Sequence, residues 1–443
     1  MNKLFFTHML ITGLVLVLVI RRLLAASDRF EALRRILRGA AVVLALPPLI
    51  FYASTLESLP LWASGSWLAL AALVGYAVKR RGRRALTVAL AVAAYTVVHT
   101  WFATWLFWTL SPGCREVWSQ PGAVRLDVDE DPSLPLLKNR GEYAIEVDPE
   151  ERFVYASYAH RGFLKGVARM RIDAPGDVTR LDVGARGILH VRFDPASRRI
   201  FAADHVDGQL YVLAEEPFRV LETIPLGAQE PMDLIIDAPA RRLVVIDRTE
   251  IPHAPNRPDR FAGLLVFDLA APRERLGRIS LDEFAGANEL ITVPGERRIF
   301  VTSEGYITLF AHDFVTQTSR LIRTFIPGIG GGAVDAERRE LYLTHTTGLV
   351  QVRDLDTLGY ERTLFVRGAR AVVVDAARRA LYIGDFFNGR VSRIDPETGA
   401  SLGSIRVGVR MRQMKVLRDG RLLTAGGCGV VVLNPPRASA AAS

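Results

Sequence analysis

The stretch VDAARRALYI, residues 374–383, is the clearest guide to the fold of this chain. It joins the apolar end of one predicted strand to a second apolar strand through a tight polar turn that contains Asp and Arg. The same phrase recurs as VDPEERFVYA from 147, FDPASRRIFA from 193, IDAPARRLVV from 236, VPGERRIFVT from 293, VDAERRELYL from 334 and a degenerate LRDGRLLTAG from 417. A period near forty residues, with strands and no helix in each unit, is typical of propeller blades. The repeats therefore predict a mainly β fold, a seven-bladed β-propeller.

Each repeat continues with two further predicted strands. The third is often opened by Gly, as in GQLYVLA from 208, and the fourth ends near Gly, as in RVLETIPLG over 219–227. Four strands in each unit account for nearly all of residues 142–435. The seventh unit ends before its fourth strand, and the segment between Cys114 and Asp129, which contains GAVRLDV, is the candidate to fill that place. Such pairing of first with last residues removes an exposed strand edge.

The first 110 residues differ in composition from the repeats. They contain four apolar stretches, at about 4–20, 39–54, 66–78 and 85–110, which predict four transmembrane α-helices. The predicted domains are a transmembrane four-helix region over 1–110, a propeller over 111–435 and a disordered tail over 436–443. The lipid bilayer is thus an expected partner of the chain.

The distribution of charge predicts the topology and excludes one class of partner. The formal net charge of +9 lies entirely in residues 1–110, so the propeller region has a net charge of zero. Basic residues fill the loops at 21–38 and 79–84, which places those loops in the cytoplasm and the propeller outside it. We expect a multi-pass protein of a bacterial-type inner membrane with an extracytoplasmic propeller. A neutral propeller without aromatic and basic interleaving gives no electrostatic footprint for nucleic acid.

Two cysteines bear on the same placement. Cys114 follows the last apolar stretch and Cys428 lies in the seventh repeat, so both fall where the ring of blades would close. An extracytoplasmic compartment permits disulfides. We predict a Cys114–Cys428 disulfide, and the alternative is two unrelated buried thiols.

Polar residues at the ends of the second strands are the candidate functional site. Aligning the repeats gives a ring of strand-end residues: Tyr158, Asp204, Asp247, Ser303, His345, Asp385 and Gly426. The next positions add His205, Arg248 and Glu304, and the loops that cross between blades add Arg186, Glu230, Glu289, Arg370 and Arg412. A long insertion, TEIPHAPNRPDRFAG over 249–263, is expected to overhang the same face.

From this ring we predict a ligand site at the mouth of the central channel. The ligand-binding candidates are Asp204, His205, Asp247, Arg248, Glu304, His345, Asp385, Glu230 and Glu289. Carboxylates and imidazoles from different blades can hold a divalent cation, for which the candidates are Asp204, His205 and His345. The structural alternative is that Asp and Ser at strand ends stabilise tight turns by bonding their own backbone.

The segment DFFNGRVSRIDPETGASLGSIRVG, residues 385–408, resembles the YVTN/NHL-type repeat propellers, and the resemblance covers residues 142–435. It implies a seven-bladed fold and a surface-binding module. The wider seven-bladed group includes lactonases and a streptogramin lyase, but no catalytic motif of those enzymes matches here residue by residue. We therefore expect a membrane-tethered platform for a protein, glycan or small ligand, and prefer binding to catalysis. The alternative is a lactonase-like or lyase-like enzyme with a divalent cation as cofactor.

Overall fold

A computed structural model describes residues 113–126, 144–160, 163–228, 230–248, 262–281, 286–303, 307–326, 328–345, 348–366 and 368–436. All of them belong to one compact unit, Phe107–Ser443. The predicted transmembrane region, nearly all of the tail, most of the 249–263 insertion and Glu304 lie outside these ranges. No helix within them combines the length and the apolar character that a bilayer crossing requires.

The strands form seven four-stranded antiparallel sheets, as the repeats predict. Blade 1 consists of β2 (Ile145–Val147), β3 (Phe153–His160), β4 (Phe163–Arg171) and β5 (Val178–Asp182). Blade 2 consists of β6 (Ile188–Asp194), β7 (Arg199–Asp204), β8 (Gln209–Ala214) and β9 (Arg219–Pro225). Blade 3 consists of β10 (Pro231–Asp237), β11 (Arg242–Asp247), β12 (Gly263–Asp268) and β13 (Arg275–Ser280).

The next three blades have the same order of strands. Blade 4 consists of β14 (Ala287–Thr292), β15 (Arg298–Ser303), β16 (Thr308–Asp313) and β17 (Thr318–Arg323). Blade 5 consists of β18 (Ile329–Asp335), β19 (Glu340–His345), β20 (Leu349–Asp354) and β21 (Tyr360–Phe365). Blade 6 consists of β22 (Ala369–Asp375), β23 (Ala380–Asp385), β24 (Arg390–Ile394) and β25 (Ser401–Arg406). Short 3-10 turns, Ala238–Ala240 and Ala376–Arg378, follow β10 and β22.

Blade 7 is completed by the two ends of the described chain. It consists of β26 (Gln413–Val416), β27 (Leu422–Gly426), β28 (Gly429–Leu433) and, on its outer edge, β1 (Val124–Arg125). Val124 pairs with Val432 in the register of β1 and β28. Helix α1 (Cys114–Trp118) precedes β1, and the Cys114–Cys428 disulfide anchors it to the loop between β27 and β28. The predicted closure of the ring and the predicted disulfide are both confirmed.

The repeated phrase is explained by the turn between the first and second strands. In five blades the Asp of the phrase accepts a backbone hydrogen bond within this turn; in blade 1, for example, the Phe153 N–H donates to Asp148 Oδ1 at 2.7 Å. A guanidinium from the following blade also binds this carboxylate in two cases, Arg241 to Asp194 at 3.1 Å and Arg297 to Asp237 at 2.8 Å. The phrase thus closes its own turn and links neighbouring blades.

Apolar side chains fill the space between neighbouring blades. Tyr155 of blade 1 stacks on Phe193 of blade 2 with ring centroids 5.5 Å apart, and Tyr155 is fully buried. No blade can bury both of its apolar faces alone, so each sheet needs its two neighbours. The first strand of every blade is innermost, and these seven strands surround the axis of the ring.

Candidate functional site in the central channel

The second strands end where the sequence predicts, with one exception. Strands β7, β11, β15, β19, β23 and β27 end at Asp204, Asp247, Ser303, His345, Asp385 and Gly426. In blade 1, strand β3 continues beyond Tyr158 to His160, with a bulge directly after Tyr158. The expectation that Tyr158 ends its strand is therefore wrong, because the β3–β4 hairpin is longer than its counterparts.

The strand-end carboxylates bind loop backbone. Asp204 is fully buried, and its carboxylate accepts hydrogen bonds from the N–H of Arg186, at 3.0 Å, and of Val206, at 2.9 Å. Asp385 accepts from the N–H of Phe387 at 2.9 Å and of Asn388 at 3.0 Å. These contacts are those of the structural alternative, in which a strand-end Asp stabilises its turn and the adjacent loop.

The remaining ring candidates also take part in local contacts. Asp247 accepts from the N–H of Glu230 at 3.3 Å, in the loop that enters blade 3. His205 Nδ1 lies 2.6 Å from the carbonyl oxygen of Gly187. Arg248 reaches the sulfur of Met232 at 3.9 Å. His345 is fully buried at the end of β19. The ligand-binding role of these residues stays a prediction.

The cation site predicted from Asp204, His205 and His345 has no counterpart in the described geometry. Across the described ranges, no three His, Cys, Asp or Glu side chains come together in a way that suits a metal ion.

The innermost strands, which surround the axis of the ring, carry a second set of polar residues. Glu146 on β2 forms an ion pair with Lys415 on β26, across the junction of blades 1 and 7. On β26 as well, the Oε1 atom of Gln413 accepts a hydrogen bond from the Ile145 N–H at 2.9 Å. The blade 7 strand that closes the ring is thus tied to blade 1 by polar side chains of the channel.

Asp233 on β10 is the carboxylate of this set with the most hydrogen-bonding and charged partners. Its Oδ1 lies 2.9 Å from His190 Nδ1 and 3.0 Å from Arg192 Nη2, both on β6, and its Oδ2 accepts from the Leu290 N–H at 2.9 Å. Burial by itself would raise the pKa of Asp233, but Arg192, His190 and the backbone donor outweigh it and lower the pKa to about 2.

The pKa of Glu289 on β14 is shifted in the opposite direction. Burial raises the pKa of Glu289 to about 7, the negative charge of Asp233 adds to this, and Arg370 and Arg192 offset it only in part. Within the described ranges, no side-chain hydrogen bond or ion pair reaches its carboxylate; its backbone N–H donates to Thr302 Oγ1 at 3.2 Å. Of the loop residues that the sequence analysis added to the ring, Glu289 and Arg370 are the two that the structure places on innermost strands.

Arg370 on β22 is the basic counterpart of Glu289. Its Nη1 is buried and has no hydrogen-bond partner among the described residues. Between the two side chains runs β18, with Gly330 and Gly331. A Cβ atom at Gly331 would lie 3.0 Å from Glu289 Oε2, and one at Gly330 would lie 2.8 Å from Arg370 Nη1. The glycines therefore leave room for both side chains to lie over the backbone of β18.

Most of the channel residues were not predicted from the sequence, because the candidates came from an alignment of the second strands. Their signal is a charged or amide residue within an apolar first strand, as in ILHVRFD, PMDLIID and QMKV. These residues are His190, Arg192, Asp233, Gln413, Lys415 and Glu146.

Comparison with known proteins adds no relative. No protein-family model matches the chain, and no curated protein is similar enough in sequence to count as related. The seven-bladed fold thus stands on the geometry described above, and the YVTN/NHL type stays a prediction from the repeats.

Proposed function

We propose that this chain is a membrane-tethered, extracytoplasmic binding platform and that its partner is a protein. The observation that carries the proposal is an exposed apolar patch on blades 4 and 5, formed by Ile307, Phe325, Tyr360 and Phe365. Propellers commonly serve as interaction platforms, but this is an argument from the fold alone, so the surface has to supply the specific support.

Ring contact, a shared strand face and a backbone hydrogen bond connect the four residues of the patch. The Phe325 and Tyr360 rings meet edge to face with centroids 4.8 Å apart. The Tyr360 hydroxyl lies 3.2 Å from Thr363 Oγ1, and Thr363 shares one face of β21 with Phe365, two residues further. The backbone carbonyl oxygen of Ile307 accepts a hydrogen bond at 2.7 Å from the backbone N–H of the residue before Phe325. The patch therefore runs across the junction of two blades.

The patch has the composition of a protein-binding surface. Phe365 is 82% exposed, Phe325 58%, Tyr360 49% and Ile307 45%. Clustered exposed apolar groups mark interaction sites, and aromatic anchors supply much of the energy of protein interfaces. Burying one such phenylalanine contributes about 1.5–3 kcal/mol.

Basic residues at the border of the patch indicate the charge of the partner. Arg320 and Arg323 on β17 are exposed, and neither forms an ion pair with an acidic residue within the described part of the chain. Complementary charge at the rim of an interface increases the rate of association and selects the partner. We infer a partner surface with apolar residues surrounded by acidic ones.

The tether and the compartment are supported by the sequence and by the disulfide. Four apolar stretches precede the propeller, and their basic loops favour an outside location for it. The Cys114–Cys428 disulfide is typical of an oxidising compartment.

Site-specific crosslinking tests the platform. A photoreactive phenylalanine analogue at Phe365 of the full chain, in its native membrane, should give a discrete crosslinked protein product. The matched control is the same analogue at Leu276 on blade 3, which is 47% exposed but outside the patch. The product should be lost in F325D and retained in L276D. Crosslinks to lipid alone, or equal crosslinking at both positions, would contradict the proposal.

Impermeant labelling tests the topology separately. A single cysteine at Val315, the exposed turn residue between β16 and β17, should react with an impermeant maleimide added outside intact spheroplasts. Reaction only after the membrane is lysed would place the propeller in the cytoplasm.

A further inference from the structure

We propose that the side chains of Glu289 and Arg370, together with the backbone of Gly330 and Gly331, form a binding site for a carboxylate in the central channel. The site goes beyond the proposed platform, because it lies on the innermost strands and shares no residue with the patch. Either proposal can therefore fail without the other.

The first argument is the balance of charge in the channel. Glu146 has Lys415 as its partner, and Asp233 has His190 and Arg192. Among the described residues, Glu289 and Arg370 are the channel charges that pair with neither set. They influence each other electrostatically, yet no ion pair joins them.

The second argument is steric. Glu289 and Arg370 come from β14 and β22, the strands on either side of β18, and both extend over the glycines of β18. A Cβ at Gly331 would approach Glu289 Oε2 to 3.0 Å and the Arg370 carbonyl oxygen to 2.8 Å. Any other residue at this position would occupy part of the space between the two charged side chains. Glycine is used where a ligand or backbone must approach closely.

The third argument is the chemistry of the two groups. The guanidinium of Arg370 offers a planar set of donors that fits a carboxylate, and its Nη1 is buried without a partner in the described ranges. Glu289 in its protonated form adds an O–H donor, since a protonated carboxyl group can donate to a ligand oxygen. Arg370 and a neutral Glu289 together leave the site with a positive charge, which favours an anion.

The proton on Glu289 makes binding depend on pH. Burial raises the pKa of Glu289 to about 7. The charged groups that face it are Asp233 from β10, Arg192 from β6 and Arg370 from β22, and β6 also contributes His190 next to Asp233. If the ligand binds the protonated form, its affinity should fall about tenfold between pH 6 and pH 8, which follows from linkage between proton and ligand. A cationic ligand would show the reverse dependence.

Fluorine NMR with defined probes tests the site on the purified full-length chain. The probes are fluoroacetate, a trifluoroacetylated dialanine with a free carboxylate, and the same peptide as its amide. Binding of fluoroacetate alone identifies a small free acid as the source of the carboxylate, and binding of the free peptide identifies a chain terminus. Both outcomes support the proposal. No binding of either carboxylate, equal binding of the amide, or stronger binding of inorganic phosphate would overturn it.

Three variants separate the roles of the residues. E289Q keeps a donor that does not titrate, so its affinity should be independent of pH and match the wild-type value at pH 6. R370M should weaken binding by at least about tenfold, the usual effect of removing a charged hydrogen bond. R390M removes an exposed arginine on the same blade and should leave binding unchanged.

Thermal unfolding by circular dichroism checks that each variant is folded. The proposal is wrong if folded R370M binds the carboxylate probe that the wild type binds with the same affinity, or if folded E289Q retains the wild-type pH dependence. Loss of the pH dependence in E289Q would assign that dependence to Glu289, because this variant keeps the imidazole of His190.

Discussion

The two sides of the channel differ in the partners that they give to a carboxylate, which is fully buried at Asp233 and partly exposed at Glu289. On the side of blades 2 and 3, Asp233 is held by Arg192, His190 and a backbone N–H, which lower its pKa to about 2. On the side of blades 4 to 6, burial raises the pKa of Glu289 to about 7, and no described side chain binds it. The first arrangement stabilises the fold, and the second is the observation on which the proposed carboxylate site depends.

Removing the compensated carboxylate should have the largest effect. D233A leaves the partly buried guanidinium of Arg192 without its fully buried acid, and breaking a buried ion pair in this way costs about 3–5 kcal/mol. Urea unfolding measures the loss. D207A removes an exposed carboxylate that pairs with Arg186 on the surface of blade 2, and it should have a much smaller effect. Equal losses in the two variants would mean that the contacts of Asp233 contribute no more to stability than the exposed ion pair of Asp207.

Acid should remove the same stabilisation in the wild type. The pKa of Asp233 is depressed in the folded state, so its contribution is present above the unfolded value near 4 and is lost as the pH falls towards 2. The shift corresponds to about 2–3 kcal/mol. The difference in unfolding free energy between wild type and D233N should therefore shrink through this window. A difference that stays constant from pH 5 to pH 2 would contradict the assignment.

The uncompensated carboxylate should behave in the opposite way. The pKa of Glu289 is raised above its ordinary value of 4.5, so the folded state loses stability as the pH rises from there to about 7. E289Q removes this penalty and should stabilise the chain by about 1–3 kcal/mol at pH 8, with little effect at pH 4. Chemical denaturation at both pH values provides the measurement. E397Q on the surface of blade 6 serves as control, and its effect should not follow this window.

Filling the space over β18 should have the smallest effect. G331A places a methyl group against the Arg370 carbonyl oxygen and the Glu289 carboxylate, and overpacking of this kind costs about 1–2 kcal/mol. G277A on β13 adds a methyl group with no atom within 4 Å and should be close to neutral. Thermal unfolding compares the pair. If both substitutions were equally mild, the space over Gly331 would not be tightly bounded.

The predictability of the fold and of the site differ for a physical reason. The repeat of a strand, a polar turn and a second strand marks every blade, and in five of the seven blades the Asp of the phrase accepts a backbone hydrogen bond within that turn. The positions of Asp204 and Asp385 at strand ends followed from that alignment. Their hydrogen bonds to loop N–H groups did not, since alignment fixes a position along a strand and not the donor that a carboxylate meets.

Periodicity, the incomplete seventh unit and the positions of two cysteines were enough to determine the propeller, its closure by β1 and the disulfide. These features are local or lie at the chain ends, so they can be read one unit at a time. The pairing of Asp233 with β6, and the meeting of Glu289 and Arg370 over Gly331, join strands from different blades. Only the closed ring brings these strands together, so the tertiary structure alone decided which charges are compensated and which remain available.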